Sequence, residues 1–94
     1  GKSSETFILT ITGTSMIDIG ILDGDLVIVS SSLGVDNGDI AVVRVDGENA
    51  TVKRFFSEND HVRLQPENTS MQPIIITKDR VEIVGKVIGL IRRY

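Results

Sequence analysis

Residues 39–56 read Asp39-Ile40-Ala41-Val42-Val43-Arg44-Val45-Asp46-Gly47-Glu48-Asn49-Ala50-Thr51-Val52-Lys53-Arg54-Phe55-Phe56. Two β-rich runs flank an Asp-Gly pair, which is the pattern of a hairpin. The same pattern extends to both sides. Upstream, Phe7 to Thr12 is a strand-like run ended by Gly13. Leu26 to Val29 is a second run, opened by the turn Asp23-Gly24-Asp25. Asn37-Gly38 marks a tight turn before Asp39. Downstream, Ser57 to Asp60 is a turn and His61 to Leu64 alternates. Pro73 to Ile76 reads as an edge strand because of its proline. Val81 to Ile91 is the last run, with Gly85 and Gly89 as weak points. Ser15 to Gly20 is a short link with room for one helical turn. No window holds a 3.6-residue apolar period over three turns. Short strands separated by Gly, Asn and Asp turns predict a mainly β fold, as a rolled sheet or a small barrel.

The chain has 94 residues, enough for one domain. Residues 1–6 are expected to be a disordered tail and residues 7–94 the folded unit. Such a chain buries roughly 60 to 65 per cent of its unfolded surface. Aromatic residues make up only 4% of it, so Ile, Val and Leu must fill the core. The formal net charge is −3. That argues against a nucleic-acid surface, which needs clustered Lys and Arg to replace counterions. No apolar tract is long enough for a membrane-spanning helix. No secretory leader is visible and there is no cysteine. The expectation is a cytoplasmic protein without disulfides, thiolate metal sites or a cysteine nucleophile.

The candidate chemistry lies in Ser15 and Lys53. A serine hydroxyl is a poor nucleophile until a base takes its proton. His61 is the only histidine. It alternates with Val62 and Leu64 after a polar turn, which suits a solvent-facing strand residue better than a Ser-His-Asp triad. Lysine can replace histidine if burial strips its charge, because burial disfavours the ammonium. Thr51, Lys53 and Phe55 share one face of a strand in apolar company. Each residue also has an ordinary reading. Lys53 suits the surface of a half-exposed strand, and from its segment alone that reading is the better one. Ser15 suits the cap of one helical turn. The catalytic reading of Ser15 adds Gly13, which permits a sharp turn that exposes the hydroxyl and nearby backbone N–H groups able to hold an oxyanion. Ser-x-x-Lys is absent, since Asp18 follows Ser15 at that spacing, and Ile17 breaks Gly-x-Ser-x-Gly. Asp23, Asp25, Asp36 and Asp39 each sit in a turn that explains them without calcium, so neither a metal nor a cofactor is expected.

Several motifs taken in order add a further layer. They are Phe7-Ile8-Leu9, Gly13-Thr14-Ser15-Met16, Gly20-Ile21-Leu22-Asp23-Gly24-Asp25, Asn37-Gly38-Asp39-Ile40 and Ala50-Thr51-Val52-Lys53-Arg54. Arg63-Leu64-Gln65-Pro66-Glu67-Asn68, Pro73-Ile74 and Gly85-Lys86-Val87-Ile88-Gly89 complete them. Together, from about Phe7 to Arg92, they resemble the LexA/UmuD-type self-cleaving peptidase domain, which is shared with phage repressors. The ending Gly85 to Arg92 is closer to the LexA branch, while Ser15 to Asp18 and Val45 to Glu48 also suit the UmuD branch.

The resemblance implies a Ser-Lys serine endopeptidase on a LexA/signal-peptidase-type β fold. Ser15 would be the nucleophile, Lys53 its base, and the backbone amides of Thr14 and Ser15 the oxyanion hole. The family often carries Asp where this chain has Thr14, which leaves a backbone role intact and puts a side-chain role in doubt. Members cut their own chain at an Ala-Gly or Cys-Gly bond when stimulated by a RecA–single-stranded-DNA filament. No Ala-Gly pair precedes Ser15 here. The expectation is a catalytic domain apart from its DNA-binding domain and cleavage segment, with no direct nucleic-acid or membrane partner. The alternatives are a UmuD-like protein processed for error-prone DNA synthesis, and a phage-repressor-like domain acting mainly as a dimerisation module. In this family a homodimer forms through the C-terminal strand, here Val84 to Ile91. A small nucleic-acid-binding barrel ranks last, for want of positive charge and stacking aromatics.

Overall fold

The computed structural model describes residues 5–93. Seven strands alternate with tight turns: β1 (Thr6–Thr10), β2 (Leu26–Ser30), β3 (Ile40–Val45), β4 (Thr51–Glu58), β5 (His61–Gln65), β6 (Ile74–Thr77) and β7 (Val81–Ile91). Two single 3-10 turns, Ile17–Ile19 and Lys78–Arg80, are the only helical pieces among the described residues. The chain is therefore mainly β, as its pattern predicts. β1 begins at Thr6, one residue before the expected start, and the Glu5 carbonyl accepts a hydrogen bond from Ser31 N–H. The rest of the expected tail, residues 1–4, lies outside the described residues.

The strands form one antiparallel sheet in the order β1-β2-β7-β3-β4-β5-β6. Among the described residues the sheet does not close into a barrel, since β1 and β6 are its end strands and do not pair with each other. The Asp46-Gly47 hairpin is present. Both residues have positive φ (54° and 73°), and Glu48 N–H bonds back to the Val45 carbonyl. That is the left-handed backbone a twisted two-strand corner needs, and Asp and Gly tolerate it well. Asn37-Gly38 turns the chain as expected but does not join paired strands. β2 pairs with β1 and β7, while β3 pairs with β4 and β7.

β7 joins the two halves of the sheet. Its residues 81–86 pair with β3, and its residues 86–91 pair with β2. The strand is internal to the sheet, paired with β3 along its first half and with β2 along its second. Each half is open on the side away from its partner: among the described residues, 81–85 pair only with β3 and 87–91 only with β2. The register slips opposite Val42/Val43 and opposite Ile28/Val29, leaving Val84 and Ile88 without direct partners. Such bulges sharpen the local twist. Gly85 stands between them. A Cβ there would lie 2.6 Å from the Ser30 carbonyl oxygen and 2.6 Å from Val29 Cγ1. This glycine is a close-packing point between backbones, not a weak one.

Alternation along β3 feeds two cores. Val42 joins Val27, Val29, Val52, Ile11, Ile21 and Met16 in one cluster. Its neighbours Ala41 and Val43 join Phe55, Val62 and Leu64 in the other. Successive strand side chains point to opposite faces, so β3 is covered on both. At the base of the first cluster, Asp25 is almost wholly buried. It accepts hydrogen bonds from Arg92 Nε (2.8 Å), Arg92 Nη2 (2.6 Å) and Leu22 N–H (2.7 Å). The Arg92 bonds first, and then the Leu22 N–H, hold its carboxyl at about 2.

Gly85→Ala is expected to destabilise the fold by about 2–3 kcal/mol through overpacking. Gly34→Ala, where a Cβ meets nothing within 4 Å, should change stability by less than about 0.5 kcal/mol. Urea unfolding of the two variants makes the comparison, and equal midpoints would refute the close approach at Gly85.

Candidate functional site

Ser15 is carried by the segment between β1 and β2, and this segment is pinned at both ends. Ile11 N–H bonds to the Asp25 carbonyl and Gly24 N–H to the Ile11 carbonyl, each at 2.8 Å. Gly13, at φ 88°, donates its N–H to Asp23 Oδ1 at 2.7 Å. The turn aspartates thus act as backbone acceptors. Past the serine, Met16 is buried at 2% exposure and anchors the segment in the first core. The chain then closes a single 3-10 turn and leaves it at Gly20.

A second loop, following β5, grips the serine segment from outside. Asn68 Nδ2 donates to the Thr14 carbonyl at 2.8 Å. Asp18 N–H donates to the Glu67 carbonyl at 2.8 Å, and Thr69 N–H to Asp18 Oδ2 at 2.9 Å. Glu67 N–H approaches Met16 Sδ at 3.4 Å. Arg54, next to Lys53, ties this loop to β4 through Glu67 Oε2 at 2.9 Å and also donates to the Gly38 carbonyl.

Lys53 projects from β4 into this assembly, 38 residues after Ser15 in the chain. Its residue exposure is only 7%. Nζ lies 3.2 Å from Ser15 Oγ, 2.7 Å from Thr51 Oγ1 and 3.3 Å from the Val52 carbonyl oxygen. Among the described residues no carboxylate pairs with it. Desolvation is therefore unopposed and lowers its pKa from the ordinary lysine value. An ammonium could donate to all three oxygens; a neutral amine, with two N–H donors and one lone pair, can make the same contacts with one role reversed. The Val52 carbonyl can only accept, and Thr51 Oγ1 accepts at the shorter distance. The lone pair is then left for the Ser15 hydroxyl. Such a pair can take a proton from Oγ without any imidazole.

The sequence-derived residues Ser15 and Lys53 are therefore brought together. The Thr14 and Ser15 N–H groups have no acceptor among the described residues, so both remain available. His61 stays apart on β5, with Nε2 3.4 Å from Glu58 and Nδ1 3.4 Å from Asp60. A cleft of about 60 Å³ opens beside Ser15, bounded by β1 residues, Met16 and the start of β4. Sequence reasoning gave no role to Thr51, Asn68 or Asp18. Thr51 had a signal, because it lies two residues from Lys53 on the same strand face. The grip of Asn68 and Asp18 had none, since it joins segments about fifty residues apart.

A family model described as Peptidase S24-like matches residues 1–88. The LexA repressor of Clostridium novyi (strain NT) is 53% identical over 93 residues, covering 99% of this chain and 45% of that protein. The LexA repressor of Caldicellulosiruptor saccharolyticus is 58% identical over 91 residues, covering 97% of this chain and 44% of that protein. The LexA repressor of Leuconostoc mesenteroides is 59% identical over 88 residues, covering 94% and 41% respectively. The chain spans less than half the length of these curated relatives.

Burial of Lys53 gives a signed prediction for stability. Between its lowered folded pKa and the ordinary value of 10.5, the folded state is neutral there and the unfolded state still binds a proton. Stability therefore rises with pH across that window, and below it the protonated amine is a standing cost. Lys53→Met should be more stable than the parent at neutral pH, with the gap shrinking as pH approaches 10.5. Denaturant unfolding from pH 7 to 10.5 measures this, and a constant gap would mean the amine is not desolvated.

Proposed function

Since the chain belongs to the Peptidase S24-like family, we propose that it is the Ser-Lys endopeptidase domain of a LexA-like SOS repressor. The observation that carries this reading is the 3.2 Å approach of a buried, carboxylate-free lysine amine to a loop serine. In this mechanism Ser15 Oγ attacks a peptide carbonyl carbon while its proton passes to the neutral Lys53 Nζ. The carbonyl oxygen becomes an oxyanion and is held by the Thr14 and Ser15 N–H groups. The tetrahedral intermediate collapses as the Lys53 ammonium protonates the departing amine nitrogen. An acyl-serine and a neutral lysine base remain. A water molecule, deprotonated by Lys53, then attacks the ester carbonyl; as the C–Oγ bond breaks, the Lys53 ammonium returns the proton to Ser15 Oγ and the new carboxyl terminus is released. No other group need change protonation state.

The substrate is a segment of the same polypeptide containing an Ala-Gly type bond, and a RecA–single-stranded-DNA filament promotes its cleavage. Both follow from the family resemblance, supported by the LexA repressors that match nearly the whole chain. No direct nucleic-acid contact is assigned to this domain, whose net charge is −3. Homodimerisation accompanies the peptidase role. Residues 87–91 of β7 pair only with β2, which leaves a strand edge that a second copy could extend by isologous pairing.

Two measurements test these statements. A synthetic peptide spanning an Ala-Gly bond should be cut by the parent chain, faster as pH rises until Lys53 is fully neutral. Ser15→Ala and Lys53→Ala should each lose about a thousandfold or more in rate. Cleavage by either variant at the parent rate, or none by the parent, would sink the dyad. Sedimentation at high micromolar concentration should give a dimer mass. A strictly monomeric mass would rule out the β7 edge as a dimer contact.

A further inference from the structure

We infer that Asn68 is a positioning residue for the oxyanion hole, acting through the Thr14–Ser15 peptide group. The inference rests on the Ser-Lys reading above and extends it to a loop that the dyad does not include.

The Thr14 carbonyl and the Ser15 N–H belong to one peptide unit. That unit is planar and trans, so its C=O and N–H point in opposite directions. Whatever fixes the carbonyl fixes the N–H. Asn68 Nδ2 donates to this carbonyl at 2.8 Å, and Ile17 N–H adds a long contact at 3.4 Å. The Ser15 N–H is thereby turned away from the 66–71 loop and finds no acceptor among the described residues. A donor held open and aimed before the reaction is what oxyanion stabilisation requires, because reorienting it during attack would cost energy. The same hydrogen bond polarises the peptide unit. Electron density drawn to the carbonyl oxygen leaves the N–H a stronger donor.

Asn68 is itself held in place. Its Oδ1 accepts from Ser70 N–H at 2.9 Å and from Ser70 Oγ at 2.7 Å. This assigns the oxygen to Ser70 and presents the nitrogen to Thr14. The loop is also braced to the same segment by Asp18 and Thr69, a contact that does not touch the Thr14–Ser15 peptide. The two attachments can therefore be separated by mutation. One aims the N–H, and the other only holds the loops together.

The test is steady-state cleavage of the Ala-Gly peptide by the 94-residue chain, read on the alkaline plateau where Lys53 is neutral in every variant. Asn68→Asp keeps the Ser70 bonds and removes the donor. Asn68→Ala removes the donor without adding charge and serves if the aspartate variant does not fold. Both should lower kcat about 10- to 100-fold, part of the loss known for deleting an oxyanion donor, with KM within about threefold of the parent. Asp18→Ala should lower stability but leave plateau kcat within about threefold. The proposal is overturned if Asn68→Asp and Asn68→Ala turn over within twofold of the parent, if the loss lies in KM alone, or if Asp18→Ala loses as much. Ser15→Ala in the same series separates the two ideas. If it retains activity the dyad itself fails, whereas an inactive Ser15→Ala beside a fully active Asn68→Asp rejects only the role of Asn68.

Discussion

The structure depends on burying one lysine amine with no opposite charge beside it. A lysine paired with a carboxylate keeps its proton, since the nearby anion favours the ammonium. Lys53 has only neutral oxygens around Nζ, so desolvation decides its state. Everything nearby serves that environment. Val52 and Phe55 flank it in the two cores, Met16 seals the serine segment, and Arg54 places its own charge on Glu67 and the Gly38 carbonyl, away from the amine. Two adjacent basic residues thus have opposite fates. One is solvated by a partner loop and the other is stripped of water.

Much of this was legible in the chain. Strand existence followed from β-branched runs and from turn residues at their ends, and the Asp46-Gly47 corner needed only its two letters. The turn role of the aspartates was also readable, and Asp23, Asp25 and Asp39 each accept a backbone N–H nearby. Ser15 and Lys53 could be singled out because few residue types in a cysteine-free, single-histidine chain can do covalent chemistry. Their ordinary readings were not excluded by local sequence. Each segment alone fits a cap or a surface strand, and only the tertiary contact separates the readings.

What was not legible came from pairing at long range. Nothing in Val81 to Ile91 says that its two halves take partners on opposite sides. Gly85 read as a weak point because a glycine lowers strand propensity, yet it is required by a neighbouring backbone 2.6 Å from where a Cβ would stand. Asn68 and Asp18 carried no local signal, because hydrogen bonds between loops are fixed by how the sheet brings the loops together. Propensity and periodicity describe elements. They do not describe which loops meet.

The split pairing of β7 also decides how the sheet is joined. β1–β2, β3–β4, β4–β5 and β5–β6 are each neighbours in the chain; the β3–β4 and β4–β5 hairpins close over short turns, whereas the β1–β2 connection runs through residues 11–25 and carries Ser15. Within the sheet, the β1–β2 hairpin meets the β3–β6 meander only through the last strand. Serine and lysine come from the two separate pieces. Their meeting therefore rests on β7, which is the sheet's bridge between the two pieces, and on the loop contacts that Asn68 and Asp18 make across them.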